Sequence, residues 1–373
     1  MTRAPVVLDR AGVDRLIEAL RARGYTVLGP TIRSDAIVLD EIESTSDLPV
    51  GMTDVQEPAS YRLEKRDDGA LFGYVVGPSS PKRTMHPPEA VVWSGVRVNG
   101  SFEKVEQPEE PSYAYLGVRP CEIAAVAIQD KVFMHDGAVD AIYGSRRSSA
   151  FFVAVNCVEP GGTCFCSSMG TGPRAAAGYD IALTEVIAKD RHQFLAEAGS
   201  DEGAEVLDSL DARAAESAEI SEVDLLLDHA ADRMGRSLDT DGIKELLYGA
   251  VESDHWDEVA KRCLTCSNCT LVCPTCFCAT VEDVTDLAGT AAQRIRRWDS
   301  CFNEEFSYIH GGPLRPSPYA RYRQWMTHKL ASWYDQFGTS GCVGCGRCIT
   351  WCPVGIDITA EAAALRRKEG AGV

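Results

Sequence analysis

Eight cysteines toward the C-terminus fall into two copies of one spacing. Cys263, Cys266, Cys269 and Cys273 precede Pro274; Cys342, Cys345, Cys348 and Cys352 precede Pro353. Both copies read C-x2-C-x2-C-x3-C-P. This is the run that holds paired [4Fe–4S] clusters in small bacterial electron carriers. Three cysteines two apart wrap a loop around one cubane, each thiolate taking one iron. The fourth cysteine, followed by proline, starts a new element and reaches the other cluster. The expected ligand sets are therefore Cys263, Cys266, Cys269 and Cys352 for one cluster, and Cys342, Cys345, Cys348 and Cys273 for the other. A cluster takes up and releases single electrons, so the chemistry is electron transfer.

Zinc is the plainer alternative, because paired C-x2-C steps also build zinc ribbons. Zinc does not require a third cysteine two residues on, a fourth three residues on and a proline, all repeated. The spacing therefore favours iron–sulfur. The two runs are separated by residues 274–341, an insertion of 68 positions.

Four further cysteines lie upstream: Cys121, Cys157, Cys164 and Cys166. The last three sit in N-C-V-E-P-G-G-T-C-F-C, where glycines let backbone close tightly around a ligand. A third [4Fe–4S] cluster on these four is the functional reading; buried structural thiols are the alternative. Cys276, Cys278 and Cys301 remain, in C-P-T-C-F-C and W-D-S-C. They either hold a further cluster with a non-cysteine ligand, with His310 and His328 as candidates, or pack beside the first run. Residues 315–329 (RPSPYARYRQWMTHK) are basic and aromatic within an acidic chain. They read either as a docking element for an acidic partner or phosphate-bearing cofactor, or as a helix packing its rings while its arginines pair with local acids.

The elements that position these cysteines read as α/β at the N-terminus. Residues 13–23 carry apolar side chains at helical spacing (Val13, Leu16, Ile17, Leu20) before Gly24. Residues 25–28, 36–39, 71–76, 112–118 and 150–155 read as strands. Cys121 follows one strand, in a helix running to about residue 129, and Cys157 follows another. Sites in α/β sheets gather at the C-terminal ends of strands, so these two cysteines should converge. Residues 202–262 read as helical, with breaks near Ser237 and Ser253. The expected organisation is an α/β domain over 1–200 with a further iron–sulfur site, a helical connector over 201–260, and a bacterial-ferredoxin-like α+β two-cluster domain over 261–373 with a large insertion.

Composition bounds the function. The chain has 373 residues, 45% hydrophobic, with 37 basic against 55 acidic side chains and a net charge of −18. That charge argues against nucleic acid and anionic membrane surfaces. Residues 1–10 lack the basic-then-apolar pattern of a signal peptide, and no apolar run is long enough to span a bilayer. A cytoplasmic location is expected, where 15 cysteines serve as ligands rather than disulfides. No G-x-G-x-x-G follows a strand, no P-loop is present, and no paired R-x-C-x-x-C motif of the kind that holds nickel–iron appears. No catalytic residue and no nucleotide site is therefore expected in this chain.

Taken together, R-P-C-E at 119–122, N-C-x-x-P-G-G-T-C-F-C at 156–166, C-P-T-C-F-C at 273–278, W-D-S-C at 298–301 and the second cysteine run resemble the β subunit of cytosolic NAD(P)-linked [NiFe] hydrogenases. The A subunit of anaerobic sulfite reductase shares much of the pattern. The resemblance spans roughly 113–357. It implies a non-catalytic electron-transfer subunit between a flavin- and NAD(P)-binding subunit and the small and large [NiFe] subunits. It also implies that Cys121, Cys157, Cys164 and Cys166 hold the additional N-terminal cluster. The alternatives are the corresponding sulfite reductase subunit and a self-contained flavin-dependent iron–sulfur oxidoreductase.

Overall fold

The structure is a computed structural model that describes residues 4–106, 111–135, 137–189 and 191–370. The first three residues of the start read above lie outside it. Its first body is an eight-stranded mixed sheet. The strand order is Arg213–Ala214, Val6–Asp9, Arg191–Ala198, Ile181–Ala188, Phe151–Val155, Tyr113–Val118, Thr26–Arg33 and Ala36–Glu41. Its centre is parallel: Phe151–Val155 lies between Ile181–Ala188 and Tyr113–Val118, and Tyr113–Val118 also pairs in parallel with Thr26–Arg33. Helices cover both faces, so the central strands read as continuous apolar runs.

The helix Arg10–Ala22 shows how the sequence builds this body. Asp9 caps it by accepting from the Gly12 N–H at 2.7 Å. Val13, Leu16, Ile17 and Leu20 fall on one face and are fully buried against Phe151, Phe194 and Val206. Gly24, at φ +90°, ends it in a conformation that a side chain would resist. On the opposite face, Ile123, Val126 and Tyr143 pack on Tyr115 and Phe152.

The segment 71–76, read from sequence as a strand, is buried but joins no sheet. Its backbone is satisfied by side chains instead. Leu71 and Phe72 N–H groups donate to the Glu185 carboxylate at 2.7 and 2.8 Å, and Val75 donates to Asp54 at 2.7 Å. The carbonyls of Phe72 and Tyr74 accept from the buried Arg119 guanidinium. Periodicity cannot distinguish this from a ladder, because both bury the same side chains.

The stretch 201–260, read as a connector, divides between two cores. Val206 and Leu207 of Asp201–Ser209, and Val223 and Leu227 of Ser217–Asp232, pack on the sheet. Ile243–Gly249 and His255–Ala260 join a second core with Tyr322, Trp325, Leu330, Ile349, Ile356 and Leu365. The insertion between the cysteine runs contributes the hairpin Ala279–Thr285 and Ala291–Trp298. This hairpin pairs with Glu89–Val98 and Ser101–Lys104 in a four-stranded antiparallel sheet. The insertion then forms the helix Pro318–Thr327, which continues as a π turn over His328–Ser332. Tyr322 and Trp325 are buried there, while Arg321 donates to the carbonyls of Phe302 and Asn303 and Arg323 to Val251. The basic stretch is thus a packing helix whose arginines chiefly satisfy backbone rather than acids. Among the described residues, no helix is long and apolar enough to cross a membrane.

Candidate iron–sulfur centres

The two cysteine runs fold alike. In the first, Thr265 and Ser267 take left-handed backbone at φ 50° and 68°, and the short helix Asn268–Leu271 follows. In the second, Gly344 and Gly346 take the same positions at φ 65° and 75°, and Arg347–Thr350 follows. Each run turns an N–H back onto its first sulfur: Thr265 onto Cys263 Sγ and Gly344 onto Cys342 Sγ, both at 3.4 Å. Such N–H groups stabilise anionic sulfur.

Packing explains why only the second run uses glycine. A Cβ on Gly344 would stand 2.6 Å from the backbone of Phe165, and one on Gly346 would stand 2.5 Å from Thr163. The loop carrying Cys164 and Cys166 lies directly on the second run. It is tied there by Phe165 N–H to the Gly344 carbonyl at 2.8 Å, Thr171 Oγ1 to the Val343 carbonyl at 2.7 Å, and the Thr163–Thr350 hydroxyl pair at 2.8 Å. Gly344→Ala adds left-handed strain to a backbone clash, so it should cost about 1–3 kcal/mol or more. Thr265→Gly, in the first run, should cost nothing comparable. Anaerobic denaturation midpoints of the two variants provide the check.

Cys263, Cys266, Cys269 and Cys352 line one pocket together with Cys348 of the second run, beside Phe302, Tyr322 and Trp325. Cys352 also accepts the Ile356 N–H at 3.3 Å. Cys266 is exposed, while its three companions are half-buried. Cys342, Cys345 and Cys273 are buried, and the half-buried Cys348 faces all three. Burial pushes the Cys342 thiol up to about 12. Cys273 differs: the Cys276 thiol, and after it the Lys329 ammonium, hold it well below the ordinary thiol range.

Cys121 sits in the first turn of Pro120–Phe133, directly after Tyr113–Val118, and Cys157 directly after Phe151–Val155. These strands are parallel neighbours, so the two cysteines emerge at the same sheet end. The 157–175 loop folds back over them. Cys157 N–H donates to the Pro173 carbonyl at 3.1 Å, and Asn156 accepts from Ala175 N–H at 2.8 Å. Cys164 faces Cys166 and Cys157, and Cys121 faces Cys345 and Cys166. Burial raises all four thiols, Cys166 to about 12. Glycine again permits the approach: a Cβ on Gly172 would stand 2.9 Å from Cys166 Sγ, and one on Gly161 would stand 3.3 Å from Cys164 Sγ. Cys345 also faces this third set, so the second and third sets adjoin.

Cys276, Cys278 and Cys301 gather beside the first and second sets. Cys276 meets Cys273; Cys301 meets Cys278 and faces Cys269. The Cys301 thiol, and after it the Cys301 backbone N–H, lower Cys278 to about 7 against opposing burial. His328 packs edge-on against Phe277 and tilted against Trp333 and meets Gln336 at 3.3 Å, while His310 lies in an exposed turn. Among the described residues, no three Cys, His, Asp or Glu side chains converge on a point that would hold a single ion. Thiolates on separate irons of a cubane stand further apart than ligands of one ion.

Four buried charged groups surround these thiols without a spacing signal to announce them as a set. Arg347 pairs with Glu122 at 2.6 Å and donates to the carbonyls of Gly77 and Ser79. Lys82 donates to the carbonyls of Leu271 and Cys276 from above the Trp298 ring, and burial lowers its pKa. Lys329 donates to Cys273 Sγ at 3.2 Å. Burial opposes its charge, but Cys273, Cys276 and Cys342 outweigh that and hold its pKa well above the usual range.

Three thiol sets, two of them in twin loops with sulfur-directed N–H groups, define an iron–sulfur protein of the dicluster type. A family model described as a 4Fe–4S dicluster domain matches residues 262–356. Sulfhydrogenase 2 subunit beta of Pyrococcus furiosus is 33% identical over 321 residues, covering 81% of this chain and 88% of the relative. No solved structure gives a significant match. The chain belongs to the family of hydrogenase β-type iron–sulfur subunits.

Proposed function

We propose that this chain carries electrons through three [4Fe–4S] clusters between a flavin- and NAD(P)-binding subunit and a [NiFe] hydrogenase module. The observation that supports it is the adjacency of the three cysteine sets: Cys269 of the first faces Cys273 of the second, and Cys345 of the second faces the third. The first set reaches the surface at Cys266, and the third lies at the end of the large sheet. When bound, the clusters supply one-electron transfer.

The chain's own residues do the rest. Cys263, Cys266, Cys269 and Cys352 hold the first cluster. Cys342, Cys345, Cys348 and Cys273 hold the second, and Cys121, Cys157, Cys164 and Cys166 the third. The sulfur-directed N–H groups and the glycine-lined approaches fit anionic clusters. The aromatic wall of Phe302, Tyr322 and Trp325 keeps water from the inner side of the first. Cys276, Cys278 and Cys301 stand as thiols around the first two rather than as a further complete ligand set.

Anaerobic preparation should yield about twelve irons per chain. Cys121→Ser and Cys164→Ser should each lose the same spectroscopic signal and about four irons, while sparing the other two signals. If Cys121→Ser retains full iron while Cys164→Ser loses it, Cys121 is a packing residue and the third site is wrongly assigned. Stoichiometric zinc in place of iron would overturn the whole reading.

A further inference from the structure

Lys329 is an ammonium in the wrong place for an ordinary protein interior. Its residue is 5% exposed. Its Nζ donates to Cys273 Sγ at 3.2 Å, to Thr275 Oγ1 at 3.1 Å and to the Gly341 carbonyl at 3.1 Å. Among the described residues it has no carboxylate partner. A buried ammonium without a counter-charge is strongly unfavourable. The negative charge that can balance it here is that of the sulfur it touches and whatever that sulfur binds.

The backbone is bent to deliver it. Lys329 lies in the π turn His328–Ser332, between the α-helical segments Pro318–Thr327 and Trp333–Phe337. A π turn inserts an extra residue into a helix and recurs at functional sites. Gly341 N–H donates to the Lys329 carbonyl at 2.7 Å, fixing the turn against the start of the second cysteine run.

The other cations near the thiols are differently placed. Arg347 also reaches the Cys345 thiol, but it is balanced by Glu122 at 2.6 Å, as Arg262, beside the first set, is by Glu361 at 2.7 Å. Lys82 points at carbonyls rather than sulfur.

We infer that Lys329 is a positioning residue that sets the reduction potential of the centre held by Cys342, Cys345, Cys348 and Cys273. A fixed positive charge and a hydrogen bond on a ligating sulfur favour the more negative, reduced form. Removing them should lower the potential of that centre more than those of the other two. The inference rests on the ligand assignment proposed above.

The experiment is an anaerobic redox titration of the full chain followed by electron paramagnetic resonance, with iron counted on each sample. Cys348→Ser identifies the signal of this centre by its loss. Lys329→Met should keep full iron and shift that signal's midpoint downward by at least a tenfold change in its reduction equilibrium, about 59 mV for a one-electron couple. Lys329→Arg should stay close to the parent. If Lys329→Met does not retain the cluster, Lys329→Gln keeps a donor without the charge, and its midpoint should also fall. An unmoved midpoint at full iron in the neutral variant overturns the inference, as does an equal shift in all three signals. If Cys348→Ser loses no iron, the ligand assignment has failed instead.

Discussion

On the relay proposed above, Cys345→Ser should stop electron passage through the assembled complex while leaving each partner's dye-linked half-reaction intact. Cys345 stands in the second run, facing Cys273 and Arg347, and the third set faces it in turn. It is therefore the proposed ligand closest to two centres at once. Serine oxygen is a poor substitute for soft thiolate on iron. The variant should lose about four irons. Its coupled turnover should fall by about 100-fold or more, since even outer contacts of a metal site cost 10–100-fold. The measurement is dihydrogen-dependent reduction of NAD(P) beside dye reduction by each module. Full coupled turnover in a chain that has lost the second signal would mean that electrons bypass this centre.

The second large effect is on folding. Arg347 is 1% exposed and Glu122 is 4% exposed. Their 2.6 Å pair joins the second cysteine run to the helix that carries Cys121. Glu122 also accepts from its own helix start, Arg119 N–H, at 2.8 Å. Arg347→Met leaves a carboxylate buried without its cation and leaves the Gly77 and Ser79 carbonyls without their donor. Breaking such a pair from one side costs about 3–5 kcal/mol, a large part of a typical folding stability of about 5–15 kcal/mol. The double variant Arg347→Met with Glu122→Leu should recover much of the loss, because no lone charge remains. Anaerobic urea denaturation of the three chains tests this. A single variant within about 1 kcal/mol of the parent would show that the pair holds nothing together.

Much of the candidate site was legible because cluster ligation imposes a strict local spacing. Three cysteines two apart, a fourth three further on and a proline describe one loop, and the chain repeats it. The expected reach of each fourth cysteine toward the other run rests on the same local geometry; Cys352 lines the pocket of Cys263, Cys266 and Cys269, and so does Cys348. The emergence of Cys121 and Cys157 at one end of the sheet was also readable, since both follow apolar strands and strand ends gather sites. The helix at residues 10–22 showed itself, as residues 13–23, through its apolar spacing; its start at the Asp9 cap did not.

Other features had no local signature. Segment 71–76 has the composition of a strand, but Glu185 and Asp54 take its N–H groups from more than 20 residues away in sequence. The sheet that joins 279–298 to 89–104 pairs segments nearly 200 residues apart, and no short pattern announces such a register.

What the sequence by itself determined is the iron–sulfur chemistry, because the type and spacing of cysteines are properties of a short loop. Only the tertiary structure decided what surrounds them. It laid the Cys164–Cys166 loop on the second run, where glycine at 344 and 346 becomes obligatory. It buried Arg347 against Glu122. It also turned Lys329, in the chain only the last residue of a basic and aromatic stretch, inward onto Cys273. The reason is physical: burial and charge pairing depend on which distant segments meet, and a π turn can redirect a side chain with no mark in its sequence.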